Sequence, residues 1–468
     1  MSWTRRIVWL IVAMTLLRIV LAVTVPLIDD EAYYWLWSRR PALGYLDQPP
    51  MIAYIIALTT LPGDGQFWLR LGPLLIGAAA TYALYLLGRD LFDERAGFIA
   101  AVLFQIVPVL AGGALLATPD SPLFLAWTLA LRFVWQALHG RPGGWAAAGA
   151  AMGFGLLSKL PMLLLGLGIG LFVLLRARTW LARREPYLAA LLTLVLFLPV
   201  VYWNLAHDWA GIRYLLFLRR PADVPPGLPG IGEILFEQFA YVLLLFPAFA
   251  WALWAAWRRR GNERFAFLFW TAAPVFAVIL LSVGIAGAGH GNWWGPAYLG
   301  LAVVLGALWN RTAQGLAVLS GAVVAVGLAM TVIPVLPPPP GTADVFGWKE
   351  ASARVEQELF SAGSSAIIVA DRYQVAAQLG YYTRDTVPAT LLPHPDPASI
   401  WPRVEQFAGR DGITALDARW SPYVDWNRYA ARVEELSPLT IRYHGRSVRT
   451  FRIFRLHGLR VESARVGK

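Results

Sequence analysis

No cysteine occurs anywhere in the 468 residues. That absence excludes disulfide bonds, thiol catalysis and thiolate metal sites. Charge is scarce too. Asp, Glu, Lys and Arg make up 15% of the chain, where a soluble domain of this length carries roughly a quarter. Apolar residues take up the difference: 57% of the sequence is hydrophobic, much of it in runs long enough to cross a bilayer. The 22 tryptophans and 17 tyrosines suit a protein with two membrane interfaces, where such rings prefer to sit. A net charge of +11 would raise nucleic acid as a partner of a soluble protein. Here the basic residues gather at the ends of apolar segments. That pattern fits topology and anionic lipid, with the bilayer as partner and no nucleic acid.

A spanning helix needs about 20 apolar residues. Such helices are predicted near 7–26, 66–88, 97–116, 120–138, 144–157, 160–175, 187–205, 233–257, 265–284, 293–309 and 313–335, about eleven in all. The first follows Arg5 and Arg6 like a signal sequence, but no convincing cleavage site follows it, so it is read as retained. Met51 to Leu61 is too short to span and is laid in the interface. Trp145 to Leu175 would be too long for one crossing. Ser158-Lys159-Leu160-Pro161 at its centre divides it into two helices and a tight turn.

With the N-terminus cytoplasmic, the inside loops hold fourteen basic residues, among them Arg89, Arg141, Arg183 and Arg258. The short outside loops hold six: Arg39, Arg40, Lys159, Arg213, Arg219 and Arg220. The bias follows the positive-inside rule. Residues 1–336 are therefore read as a membrane domain with a first outer loop at 27–65, and 337–468 as an outer α/β domain. Pro334 to Pro340 form a stiff linker between them. In the tail, Trp348–Phe360 and Tyr373–Tyr382 read as helices, while Ala366–Ala370, Leu439–Tyr443 and Val448–Leu456 read as strands.

This orientation collects the unusual polar residues on one side. They are Asp29, Asp30, Glu31 and Asp47 in the first outer loop, then Thr118-Pro119-Asp120, Ser158-Lys159, His207-Asp208 with Arg213, and His290-Gly291-Asn292-Trp293. Arg70 lies just inside the outer end of its helix. Carboxylates, a lysine, histidines and an arginine facing one compartment suit an anionic substrate and proton transfer. Each has a plainer role open to it. Asp29 and its neighbours could simply be solvated, Asp120 could serve a helix start, Lys159 could reach for the interface, and His290 could join an aromatic belt. Arg132 is close enough to the inner interface to extend to it; Arg18, deep in the first helix, receives no role.

The stretch Asp30-Glu31-Ala32-Tyr33-Tyr34-Trp35-Leu36-Trp37-Ser38, followed by Gly44-Tyr45-Leu46-Asp47-Gln48-Pro49-Pro50-Met51, resembles the first periplasmic loop of bacterial enzymes related to dolichyl-phosphate-mannose protein mannosyltransferases. That superfamily includes lipid A aminoarabinose transferases and polyprenyl-phosphate galacturonosyltransferases. Thr118-Pro119-Asp120, Gly155-Leu156-Leu157-Ser158-Lys159 and His290-Gly291-Asn292-Trp293 follow in similar order, and Ala370-Asp371-Arg372-Tyr373 resembles the start of the outer domain. The resemblance implies a polytopic GT-C fold in the bacterial inner membrane, with a cavity facing the periplasm. It implies a polyprenyl-phosphate-linked sugar as donor and an envelope glycolipid such as lipid A, a glycan or a protein as acceptor. It makes Asp30 the general base and Asp47 a second catalytic acid. Glu31, Arg70, Asp120, Lys159, His290, Asn292 and Tyr373 become substrate-binding residues. Gln48 stands where the mannosyltransferases carry histidine, which sets the chain apart from protein mannosylation.

In such a transfer Asp30 takes the proton of an acceptor hydroxyl, and Lys159 stabilises the departing phosphate. One base and one leaving group suffice for inversion; retention would need a carboxylate such as Asp47 as nucleophile. Clustered carboxylates also suit a hard divalent cation, but no strong ligand motif is present, and the sequence leaves a metal open. A transporter or flippase of a lipid-linked anion is the alternative. It calls for polar groups at the bilayer midplane and often inverted repeats.

Overall fold

The computed structural model describes residues 2–215, 225–332, 343–393, 395–443 and 445–460. Arg219, Arg220 and the linker Pro334–Pro340 lie outside the described residues. The helices in chain order are α1 (Trp3–Thr24), α2 (Asp29–Arg39), α3 (Met51–Thr59), α4 (Gln66–Leu91), α5 (Glu94–Ile106), α6 (Pro108–Gly113), α7 (Asp120–Leu138), α8 (Gly144–Ser158) and α9 (Met162–Arg176). They continue with α10 (Glu185–Ala206), α11 (Ala210–Arg213), α12 (Leu228–Tyr241), α13 (Phe246–Arg258), α14 (Glu263–Ala286), α15 (Gly295–Ala307), α16 (Arg311–Val332), α17 (Trp348–Ala362) and α18 (Tyr373–Tyr382). Two compact units share them. The first comprises Met1–Ala22, Leu46–Ile55 and Arg70–Val326; the second comprises Val23–Tyr45, Ile56–Leu69 and Gly327–Lys468.

The first unit is helical. Among the described residues, α1, α4, α10, α14 and α16 are long and apolar enough to cross a membrane. The outer faces of α1, α10 and α16 expose Leu16, Leu191 and Val323, as lipid-facing surfaces do. Two segments read as single helices are interrupted. In 97–116 the break falls at Val107, which is extended ahead of Pro108 because proline disfavours the helical region for its predecessor. In 233–257 a 3-10 turn, Leu243–Leu245, separates α12 from α13. The segment read as 293–309 is a single helix, α15, entered from the 3-10 turn Gly291–Trp294 with Pro296 in its first turn. The break at Lys159 lies where the sequence put it: α8 ends at Ser158, Lys159 is extended at φ −160°, and Pro161 opens α9.

Small residues bring α8 against its neighbours. A Cβ on Gly149 would lie 2.5 Å from the Ala189 carbonyl oxygen of α10. Thr193 on α10 donates to the Gly149 carbonyl at 3.0 Å. Close backbone approach of this kind is how helices pack where no water drives them together. Buried polar side chains also bond between helices. Arg18 donates to Gln105 at 2.6 Å, and Gln105 to Thr81 at 2.9 Å. Arg132 donates to Asp90 at 2.8 Å, so it is held by a carboxylate rather than extending to the interface.

The second unit carries a five-stranded sheet of order β2-β1-β3-β5-β4, with β1 Ile367–Ala370, β2 Ala389–Leu391, β3 Gly412–Asp417, β4 Ala430–Tyr443 and β5 Arg446–Leu459. The pairs β1–β2 and β1–β3 are parallel, and β5 runs antiparallel to β3 and β4. β2 and β3 are absent from the sequence reading, because short buried runs carry no alternation. Arg449 on β5 donates to Asp417 on β3 at 2.7 Å, both side chains fully buried. Its guanidinium lies 4.5 Å from the Trp348 ring and 4.3 Å from that of Phe451. Residues 23–45 and 56–69 group with this sheet.

Candidate active site

The acidic stretch of the first loop is the first turn of α2. Asp29, Asp30 and Glu31 stand at its start, where carboxylates are favoured by the free N–H groups and the helix dipole. Every residue from Glu31 to Ser38 is buried. Glu31 turns inward, and its Oε2 accepts from the Ile28 backbone N–H at 3.2 Å. That bond fastens the start of α2.

Helix α18 supplies the partners of the two aspartates. The Tyr373 hydroxyl donates to Asp30 Oδ1 at 2.9 Å, and Gln378 Nε2 donates to Asp29 Oδ1 at 2.8 Å. The same Gln378 amide reaches the Leu27 carbonyl at 3.1 Å. Rings extend the contact: Tyr33 lies 5.1 Å from Tyr373, and Trp35 lies 5.1 Å from Tyr381. Tyr373 is positioned in turn by its chain neighbours. Asp371 accepts from the Tyr423 backbone N–H at 2.6 Å, and Arg372 donates to the Ser421 carbonyl at 2.7 Å. Gln378 and Arg449 were missed in the sequence; they lie in a helix and a strand with no motif around them.

Burial pushes the Asp29 carboxyl up to about 6. The charges of Asp30 and Asp344 add to the push, while the Gln378 bond and the Arg449 charge oppose it. A carboxyl raised in the folded state stabilises the fold below its unfolded pKa, and that contribution is lost as pH rises through the folded value. Stability from this group is therefore greatest below pH 3.8 and gone above about 6. Asp29→Asn is expected to flatten the pH dependence of the thermal unfolding midpoint between about pH 4 and 7, an effect of up to about 3 kcal/mol. Unfolding curves of both proteins across that range check it; parallel curves would refute the buried acid.

The first unit holds a second charge constellation. Lys159 Nζ lies 2.8 Å from Asp120 Oδ1, with side chains only 8% and 17% exposed. Asp120 opens α7, yet its carboxylate is spent on the lysine rather than on a cap. Arg70 is fully buried and donates to the Ala22 carbonyl at 3.3 Å. Asp47 sits in the bend before α3, half-buried. His290 packs edge-on against Trp293 at 5.2 Å, and Asn292 lies in the adjacent 3-10 turn. Glu237 and Gln238 of α12 grip this turn: Gly291 N–H donates to Glu237 at 3.0 Å, and Gln238 donates to the Gly291 carbonyl at 3.2 Å. A Cβ on Gly291 would meet Glu237 Oε2 at 2.6 Å, so only glycine lets the turn approach so closely. Asp30 and Tyr373 thus meet in one unit, and Asp120 and Lys159 in the other. Among the described residues, no three His, Asp or Glu side chains are grouped to hold a metal ion.

Residues 47–203 match the family model described as dolichyl-phosphate-mannose-protein mannosyltransferase. Over 368 residues the chain is 29% identical to the lipid A galacturonosyltransferase RgtD of Rhizobium johnstonii, covering 76% of this chain and 77% of that one. It is 28% identical to an undecaprenyl phosphate-alpha-4-amino-4-deoxy-L-arabinose arabinosyl transferase of Pseudomonas fluorescens, over 53% of this chain and 46% of that protein. Its fold aligns with ArnT from Cupriavidus metallidurans at a TM-score of 0.68 and 17% identity, covering 97% and 98% of the two chains. In sequence the chain is similar to these glycosyltransferases, and its fold is that of ArnT. The segment matched by the family model contains Asp47, Arg70, Asp120 and Lys159 but begins after Asp30. The aspartate that the first-loop motif singles out thus rests on that motif and on its bond to Tyr373.

Proposed function

We propose that this protein moves a sugar from a polyprenyl phosphate to a lipid A-type acceptor at the periplasmic face of the bacterial inner membrane, with inversion at the anomeric carbon. The observation that carries this reading is the likeness to a lipid A galacturonosyltransferase across three quarters of both chains. The acceptor oxygen attacks the anomeric carbon as its O–H bond breaks, and Asp30 takes the proton. The bond from that carbon to the phosphate oxygen breaks, and its electron pair leaves with the polyprenyl phosphate. Tyr373 positions the Asp30 carboxylate by donating to its Oδ1. Lys159 offsets the charge that grows on the phosphate, with Asp120 holding the ammonium in place. His290 and Asn292 contact the donor, the fully buried Arg70 acts on its phosphate through charge alone, and Asp47 assists the acceptor.

The N-terminus lies in the cytoplasm and the second unit in the periplasm, as the distribution of arginines supports. The test is reconstitution of the full chain with a polyprenyl-phosphate sugar and lipid A, read by mass spectrometry of the lipid product. A product heavier by one sugar, formed with release of polyprenyl phosphate, is the expected result. Polyprenyl-phosphate sugar that only changes leaflet, without a glycosylated product, would favour the flippase instead.

A further inference from the structure

The turn that carries His290 and Asn292 is held from outside itself. Within the turn, the Trp293 N–H returns to the His290 carbonyl at 3.1 Å. Helix α12 supplies the other anchors through two consecutive residues. Glu237 Oε2 accepts from the Gly291 N–H at 3.0 Å, and Gln238 Nε2 donates to the Gly291 carbonyl at 3.2 Å. That N–H belongs to the peptide joining His290 to Gly291. The carbonyl belongs to the peptide joining Gly291 to Asn292. Each peptide is planar, so anchoring one atom of each fixes both planes. With the planes fixed, the directions in which His290 and Asn292 leave the backbone are set.

Gln238 is wholly buried, and its amide has one possible orientation. The nitrogen faces two carbonyls, those of Ile234 at 3.0 Å and Gly291 at 3.2 Å. The oxygen faces the Tyr298 hydroxyl of α15 at 2.8 Å. Carbonyls only accept, so the amide nitrogen must serve them and the hydroxyl must donate to the amide oxygen. Tyr298 is buried too, its ring 4.7 Å from Phe249 of α13 and 5.8 Å from Phe276 of α14. Three helices thus hold the hydroxyl that orients the glutamine that pins the turn. Apolar groups of the same shape can replace a buried hydrogen-bonded pair at little cost in stability. What such groups would not supply is a fixed direction, and the carboxylate of Glu237 adds a bond of the stronger, charge-assisted kind.

We infer that Glu237, Gln238 and Tyr298 are positioning residues for the donor. They act through Gly291, aiming His290 and Asn292 without touching the donor themselves. The inference rests on the reading that His290 and Asn292 contact the donor. Glu237 serves as an acceptor for one backbone N–H, so its oxygen matters to the turn more than its charge does.

The test is steady-state transfer by the full-length protein, with the polyprenyl-phosphate sugar as the varied substrate and unfolding midpoints measured alongside. Glu237→Met, which removes the acceptor, should raise the donor KM about tenfold or more and change kcat far less. Glu237→Gln keeps an oxygen for the Gly291 N–H and should restore KM to within about threefold of wild type. Adding Glu237→Met to the pair His290→Ala and Asn292→Ala should raise KM no further, because the groups it aims are gone. Tyr298→Phe, which removes only the hydroxyl, should raise KM several-fold; it decides the matter if Glu237→Met fails to fold. An unfolding midpoint lowered by Glu237→Met with the donor KM unchanged would overturn the inference, since the bonds would then only hold the helices together. A further rise in KM on the His290 and Asn292 background would overturn it by placing Glu237 on the donor itself. If KM rises in the His290→Ala, Asn292→Ala variant but not in Glu237→Met, positioning fails and the donor reading stands. If KM is unchanged in the His290→Ala, Asn292→Ala variant, the donor reading of the turn fails and takes positioning with it.

Discussion

Asp30→Asn is expected to cost on the order of a hundred- to ten-thousand-fold in turnover, with insertion and folding intact. The amide fills the same space at the start of α2, and its carbonyl oxygen can still accept from Tyr373 as Asp30 Oδ1 does. What it cannot do is take a proton from an acceptor hydroxyl. The loss should therefore fall on the rate of transfer and leave donor binding largely alone. Single-turnover measurement with labelled donor separates the two. Near wild-type turnover would remove Asp30 as the base.

The second large effect concerns Lys159. Its ammonium and the Asp120 carboxylate form a mostly buried pair. Removing one member of such a pair strands the other, at a cost of about 3 kcal/mol or more. Lys159→Met should then lower both stability and donor affinity, and those losses need separating. The double variant Asp120→Asn with Lys159→Met removes both charges and should regain most of the stability. If Lys159 docks the donor phosphate, donor affinity stays weak in the double variant. Recovery of affinity together with stability would show that the pair is only structural. Unfolding midpoints and donor titration on the three proteins decide it.

The two constellations differ in how far the sequence revealed them. The Lys159 turn was legible because a lysine and a proline inside a 31-residue apolar stretch conflict with a single spanning helix, and the conflict has one local solution. Its partner was legible only as a residue on the same side. Nothing in Thr118-Pro119-Asp120 says which cation the carboxylate takes. The helical state of α2 escaped notice for the opposite reason. Its run of tyrosines and tryptophans is poor in strong helix formers and buried on every side, so no amphipathic period marks it. Its order comes from α18, and contacts so remote in sequence leave no local trace. The breaks at Val107 and before α13 show a further limit. Hydropathy sees a span as continuous even where Pro108 has divided the backbone at Val107 or a 3-10 turn at Leu243–Leu245 has broken it.

The bond between Asp30 and Tyr373 spans 343 residues, and this sets an order of events during synthesis. At roughly 5–20 residues per second, α2 leaves the ribosome on the order of half a minute before α18 exists. For that interval the Tyr33 and Trp35 faces that pack on Tyr373 and Tyr381 lack those rings. The Tyr373 hydrogen bond that positions Asp30 forms only when the last part of the chain arrives.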